Sequence, residues 1–263
     1  EPSMSLTATG LLRSEIRKVA SLRTWWALGL PPVLIGGFAS AIYAGIAASE
    51  ALSGAPDIDR FAALIGLYVT VGTAVVFAAL FGAVQAATEI RHGTATSTFL
   101  SAPRRGQVVA AKILVSAAVG TGYGVVSVAV SLASIAVFGD GAVTIGDGLV
   151  IAVALLGIVS ATLWSVLGCG LGLLMGSPTW AAVAIVAWLP VGELVVIAIL
   201  TGVGADAVAA LLPGALTAGV LAADRAGDSG VVMPFPVAVV GLLLWTVGFA
   251  AVGWWRSIRR DLT

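Results

Sequence analysis

Six apolar runs dominate this chain, at about residues 25–48, 61–88, 108–138, 149–175, 179–203 and 234–255. Each is close to or longer than the ~20 residues a helix needs to cross the hydrocarbon core of a bilayer. Composition agrees. Of 263 residues, 59% are hydrophobic and 10% charged, with a mean hydropathy of +1.09, whereas a soluble domain is roughly 25% charged. The expected fold is an all-α integral membrane protein: one domain, 1–263, with six transmembrane helices. Cys169 is the single cysteine and lies within an apolar run, so no internal disulfide forms and the thiol reads as packing.

The charges say more by position than by their formal net sum of +0. Arg13, Arg17, Lys18 and Arg23 precede the first run. Arg91, Arg104, Arg105 and Lys112 lie between the second and third, and Arg256, Arg259 and Arg260 follow the last. Only Arg60 and Arg225 fall elsewhere. Six spans bring those three regions to one face, and the positive-inside rule makes that face cytoplasmic, with both termini inside. Trp25, Trp26, Trp180, Trp254 and Trp255 fall near the same interface, as aromatic belts do.

Glu1-Pro2-Ser3 precede Met4 and read as an expression remnant. Residues 8–23 put Leu12, Ile16 and Val19 on one helical face and most of the basic residues elsewhere, which predicts an interfacial amphipathic helix. A signal peptide is the weaker reading, because the run from Trp25 is too long for one and five more runs follow. Pro31-Pro32 should bend the first span. Gly120 and Gly124, and again Gly168, Gly172 and Gly176, have the small-x-x-x-small spacing of close helix contacts, within the chain or between subunits. Residues 49–60 and 139–148 read as polar loops. Residues 204–232 are too rich in Gly, Pro and Asp to span simply. Within them Ala207–Leu212 and Leu216–Ala223 fit either short helices dipping into the outer leaflet or an ordinary loop.

Between the second and third runs lies a polar, basic island, Glu89 to Lys112. Gly93-Thr94 breaks the preceding helix, and Thr94, Thr96 and Ser97 offer hydroxyls to cap a new one. About two turns could follow through Phe99 and Leu100 until Pro103 stops them. Two readings stand side by side: a surface helix presenting Phe99 and Leu100 to a partner's groove, or a loop held on one side by its positive charge. Glu89 lies where a charge reaches water, and an ion pair with Arg91, Arg104 or Arg105 would position the segment.

Glu89, Gly93-Thr94, Leu100, Pro103-Arg104 and Lys112 resemble the E-x-x-x-G-T … P-x-R … K pattern of ABC transporter permeases of the second export type, the drug, lipid and polysaccharide exporters. Their place between the second and third of six spans strengthens the likeness. The resemblance implies that the island is a coupling helix docking on a separate cytosolic ATP-binding subunit. Glu89, Arg91, Gly93, Thr94, Phe99, Leu100, Pro103, Arg104 and Arg105 would form the contact region. It also implies an interfacial N-terminal helix beside that contact, re-entrant helices before the last span, pairing with a second permease subunit, and residence in the cell membrane.

The chemistry available to the chain is narrow. It has no G-x-x-x-x-G-K-[ST] phosphate cradle; Lys18 and Lys112 are its only lysines. ATP and Mg would therefore belong to the partner, with no cofactor bound by this chain. His92 and Cys169 cannot build the usual zinc clusters, and no nucleophile-elbow pattern appears, so the chain is not expected to be an enzyme. The basic clusters are membrane flanks rather than a nucleic-acid surface. Glu193 is the exception to the apolar pattern, near the centre of the fifth run and three residues after Pro190. It reads as a pore, substrate or proton-linked site, or as a protonated acid bonded to a carbonyl freed by Pro190. The function expected is that of an exporter's permease subunit moving a hydrophobic or amphipathic substrate. The alternative is a secondary transporter or channel using Glu193 as its ion or proton site.

Overall fold

The computed structural model describes residues 8–49, 56–91, 105–141, 144–222 and 233–259, and no strand occurs among them. In chain order the helices are α1 (Ala8–Ser21), α2 (Thr24–Ala47), α3 (Pro56–Arg91), α4 (Arg105–Phe138), α5 (Gly148–Met175), α6 (Pro178–Ala187), α7 (Glu193–Gly202), α8 (Asp206–Ala209), α9 (Pro213–Ala222) and α10 (Phe235–Arg259). A π-helical turn, Trp188–Gly192, joins α6 to α7 in one continuous rod. Among the described residues six helices are long and apolar enough to cross a membrane, that rod counting as one.

Local chemistry explains where these rods begin and end. The Asp147 carboxylate accepts from the Leu149 backbone N–H at 2.7 Å and caps α5, which stops where Gly176 turns left-handed at φ 68. Ser177 caps α6, and Pro178 takes the first helical position, where a missing N–H costs nothing. Helix α3 starts earlier than the run at 61–88 predicts: residues 56–60, expected as the end of a loop, are already helical. Pro56 is a favoured helix opener. Helix α2 continues through Pro31 and Pro32. Pro190 removes a ladder donor from the fifth rod, and there the backbone adopts the wider π turn.

Helices α3 and α5 share the largest packed face and form the centre of the bundle. Gly168 and Gly172 of α5 lie on the backbone of Ala79 and Ala83, and a Cβ at either would collide with it. The glycine repeat thus serves contact within the chain at these two positions. Helices α2 and α4 flank this core, and one buried hydroxyl cluster ties them to it. The Ser40 hydroxyl meets Ser131 at 2.6 Å and Thr70 at 3.2 Å. The perimeter is looser: 61% of the apolar stretch of α3 is buried, against 17% for α10 and 11% for Pro178–Gly202. In a bilayer those open apolar faces meet lipid or another helix.

Within the described part, 204–222, of the segment 204–232 expected as loop or re-entrant helices, two pieces are helical; residues 223–232 lie outside the described residues. Helix α9 packs on α10 and α5, with Pro213, Leu216, Thr217 and Val220 among its buried residues. Trp164 Nε1 donates to Thr217 Oγ1 at 2.9 Å, and Trp245 Nε1 donates to the Leu211 carbonyl at 2.9 Å. Residues 206–222 are therefore folded back against the spans. The end of the bundle holding α1, the last turn of α3, the first turns of α4 and the end of α10 is its basic end. Trp25, Trp26, Trp180, Trp254 and Trp255 are all exposed, and the Arg259 guanidinium lies 4.6 Å from the centre of the Trp255 ring.

Candidate functional site

Helix α1 buries Leu11, Glu15 and Val19, one residue per turn along a single stripe. Ile16, read with Leu12 and Val19 as one apolar face, is 52% exposed, while Val19 is buried. The helix is rotated from its purely apolar face because Glu15 has an ionic partner inside. Lys112 of α4 points its Nζ to Glu15 Oε2 at 3.0 Å and to Glu89 Oε1 at 2.7 Å. Lys18 Nζ completes the cluster, 2.6 Å from Glu15 Oε1 and 3.6 Å from Glu89 Oε1. Two carboxylates and two ammonium groups thus alternate across α1, α3 and α4.

Burial gives this cluster its weight. Glu15 is 1% and Lys112 4% exposed. Exposed ion pairs contribute little, but removing one partner of a buried pair costs about 3–5 kcal/mol, since it strands the other charge. Each carboxylate has a cation on it, so the arrangement is neutral as a unit. Burial by itself pushes the Glu15 carboxyl up. The ammonium groups of Lys112 and Lys18 more than offset that and hold it below its ordinary value of 4.5.

A polar seam continues inward from the cluster. Gln85 lies one turn before Glu89 on α3, and Ser116 one turn after Lys112 on α4. Ser116 Oγ donates to Gln85 Oε1 at 2.9 Å, and Ser165 Oγ of α5 donates to the Ser116 carbonyl at 2.7 Å. The basic end of the bundle is thereby stitched from α1 through α4 and α3 to α5. Arg91, at the last turn of α3, donates to Thr179 Oγ1 of α6 at 3.5 Å.

The island itself is only partly visible. Gly93, Thr94, Phe99, Leu100, Pro103 and Arg104 lie outside the described residues, as does the Arg105 side chain. What is seen is where the island leaves α3 and re-enters α4, and the ionic cluster stands at that point. Sequence reasoning named Glu89 but sought its cation among Arg91, Arg104 and Arg105. The described cations on Glu89 are Lys112 and Lys18, and Glu15 was missed. The available signal was a lone lysine inside an apolar run, which needs an acid, and one acid in an otherwise basic amphipathic helix.

Glu193 is 3% exposed at the start of α7. Its Oε1 accepts from the backbone N–H groups of Gly214 at 2.6 Å and Ala215 at 2.9 Å, and its Oε2 from Trp188 Nε1 at 3.0 Å. The partners are N–H donors rather than a carbonyl released by Pro190. The side chain acts as an N-terminal cap for α9 supplied from a different helix, fixing the folded-back segment to the fifth rod. Among the described residues no group of three or more His, Cys, Asp or Glu could hold a metal ion.

Three experiments check these assignments. The folded-state value of Glu15 is depressed, so its pairing stabilises above the unfolded carboxyl's value and is lost as the pH falls through the folded one. Hydrogen exchange should find α1 protected at neutral pH and opening at pH below 4.5. Lys112→Met should open α1 already at neutral pH, with a cost of about 3–5 kcal/mol. Replacing Glu193 by Leu should speed exchange at Gly214 and Ala215 while leaving α1 protected. Compared with protein-family models the chain matches none, and compared with curated proteins it has no match.

Proposed function

We propose that this chain is the transmembrane permease subunit of an ATP-driven ABC exporter, working with a separate cytosolic ATP-binding subunit. The observation that carries this reading is the Glu15–Lys112–Glu89–Lys18 cluster, with Glu15 and Lys112 buried at its centre. It joins an amphipathic N-terminal helix to the ends of the two spans that flank the basic island. A segment that only had to remain on one side of the membrane would need its positive charges, not a desolvated Glu15–Lys112 pair behind it. The six apolar rods, the folded-back helices before the last one and the E-x-x-x-G-T … P-x-R … K pattern support the same assignment.

In this reading the basic end is cytoplasmic, the chain resides in the cell membrane, and two permease subunits recruit two ATPases. ATP binding closes the ATPases and presses the island through Phe99 and Leu100. The push reaches α3 and α4 directly and α1 through the cluster, because separating these buried charges from one another is costly. The ends of the spans then shift together, and an outward path opens. Substrate is hydrophobic or amphipathic, in keeping with the apolar interior. Glu193 belongs to the architecture of the folded-back segment rather than to ion exchange: its carboxyl oxygens already hold three N–H donors in a buried place.

The protein should co-purify with a cytosolic ATPase, and a Phe99→Asp, Leu100→Asp double variant should lose that association without losing its fold. Association and ATP-dependent flux that survive the double variant would refute the coupling role. Flux driven by a proton or sodium gradient without ATP, and abolished by Glu193→Gln, would establish the secondary-transporter alternative instead.

A further inference from the structure

Between α5, the fifth rod and α10 lies a cavity of about 350 Å³, within the roughly 300–1,000 Å³ range of small-molecule sites. Its walls include Trp164, Leu167, Ile185, Trp188, Trp245 and Phe249. The three tryptophans would normally offer N–H donors to a guest. Here all three are used elsewhere: Trp164 donates to Thr217, Trp188 to Glu193 and Trp245 to the Leu211 carbonyl. Indole has no other polar group, so the cavity sees only ring surface, and no titratable residue lines it. A polar guest would lose its hydration without replacement. Water gains too few partners to settle there, and apolar cavities of this kind stay dry and accept apolar guests.

The cavity has a floor and a mouth. Trp164 is 2% exposed, whereas Trp188 and Trp245 are 37% and 38% exposed. Around those two the perimeter is open and apolar, with Val191 60% and Leu244 68% exposed. A face of that composition on a membrane-spanning rod meets hydrocarbon rather than water. Whatever enters by the mouth comes from the bilayer.

We propose that this cavity binds an aliphatic chain that enters sideways from the membrane, with its polar head remaining outside the mouth. The chain belongs either to a resident phospholipid or to a free single-chain amphiphile. The site stands apart from the transport reading: it requires neither ATP nor a partner subunit.

Photolabelling of the purified protein in nanodiscs tests it, with two probes carrying a diazirine at the chain end. One is palmitic acid, and the other is a phosphatidylcholine with the same group on one acyl chain. Labelled residues are mapped by mass spectrometry. Trp164 and Leu167, out of reach from the open perimeter, should be labelled saturably, and unlabelled palmitic acid or phospholipid should compete. Labelling by the phospholipid probe identifies a resident lipid tail; labelling by palmitic acid alone identifies a free amphiphile. Ala184 also lines the cavity, and Ala184→Trp should fill it, reducing Leu167 labelling about tenfold or more while Leu244 stays labelled. Ala184→Leu, a smaller filling, should reduce it less. Labelling confined to perimeter residues such as Leu244 in the wild-type protein, or unchanged at Leu167 in a folded Ala184→Trp variant, would overturn the proposal. Either result is read without ATP, so a failure of the transport reading remains a separate matter.

Discussion

A buried Glu15–Lys112 pair, extended by the partly exposed Glu89 and Lys18, is the constraint around which the basic end is arranged. A lysine at the start of a long apolar helix cannot be left alone, and the cost of stranding it forces Glu89 and Glu15 onto it. Glu15 in turn fixes how α1 is rotated, and that rotation leaves Ile16 facing outward. One desolvated ammonium group therefore determines the docking of a helix that apolar periodicity alone would have set differently. Pairing by charge also differs from pairing by packing in how it yields. Apolar faces slide at modest cost, while alternating charges in a low-dielectric setting hold or break as a unit.

The opposite polar feature follows the same rule with neutral donors. Glu193 is held by Trp188, Gly214 and Ala215, and the neighbouring tryptophans Trp164 and Trp245 tie the folded-back segment to α5 and to α10. These bonds consume the polar groups around the cavity between α5, the fifth rod and α10, and so make that cavity apolar. Polar chemistry near the middle of the bundle is spent on architecture, and the surfaces left over are hydrocarbon-like. The two ends thus divide the work: charge chemistry at the basic end, apolar binding space within.

Much of this architecture was legible because lipid imposes a simple code: length and hydropathy locate each rod to within a few residues. The departures have local causes. Helix α3 gains residues at its start because Pro56 opens a helix readily. The Gly168 and Gly172 pair was readable as a close contact but not as a contact with Ala79 and Ala83, since spacing names a face and not its partner. Glu15 escaped notice for a related reason: periodicity ranks apolar residues and counts every carboxylate as outward. Glu193 was conspicuous, but its backbone partners Gly214 and Ala215 lie some twenty residues downstream, joined only by the fold. Gly93, Thr94, Phe99 and Leu100 were legible as a motif, and their geometry lies outside the described residues.

The central claim of the proposed function is that α1, α3 and α4 would move as one body under a force applied at the island. Spin labels at Arg17 on α1, Gln107 on α4 and Ile258 on α10 report this directly in a complex with the proposed ATP-binding subunit, by pulsed distance measurement with and without ATP. The account predicts an Arg17–Gln107 distance that stays fixed while both positions shift relative to Ile258. An Arg17–Gln107 distance that changes on ATP binding while Gln107 keeps its distance to Ile258 would contradict it.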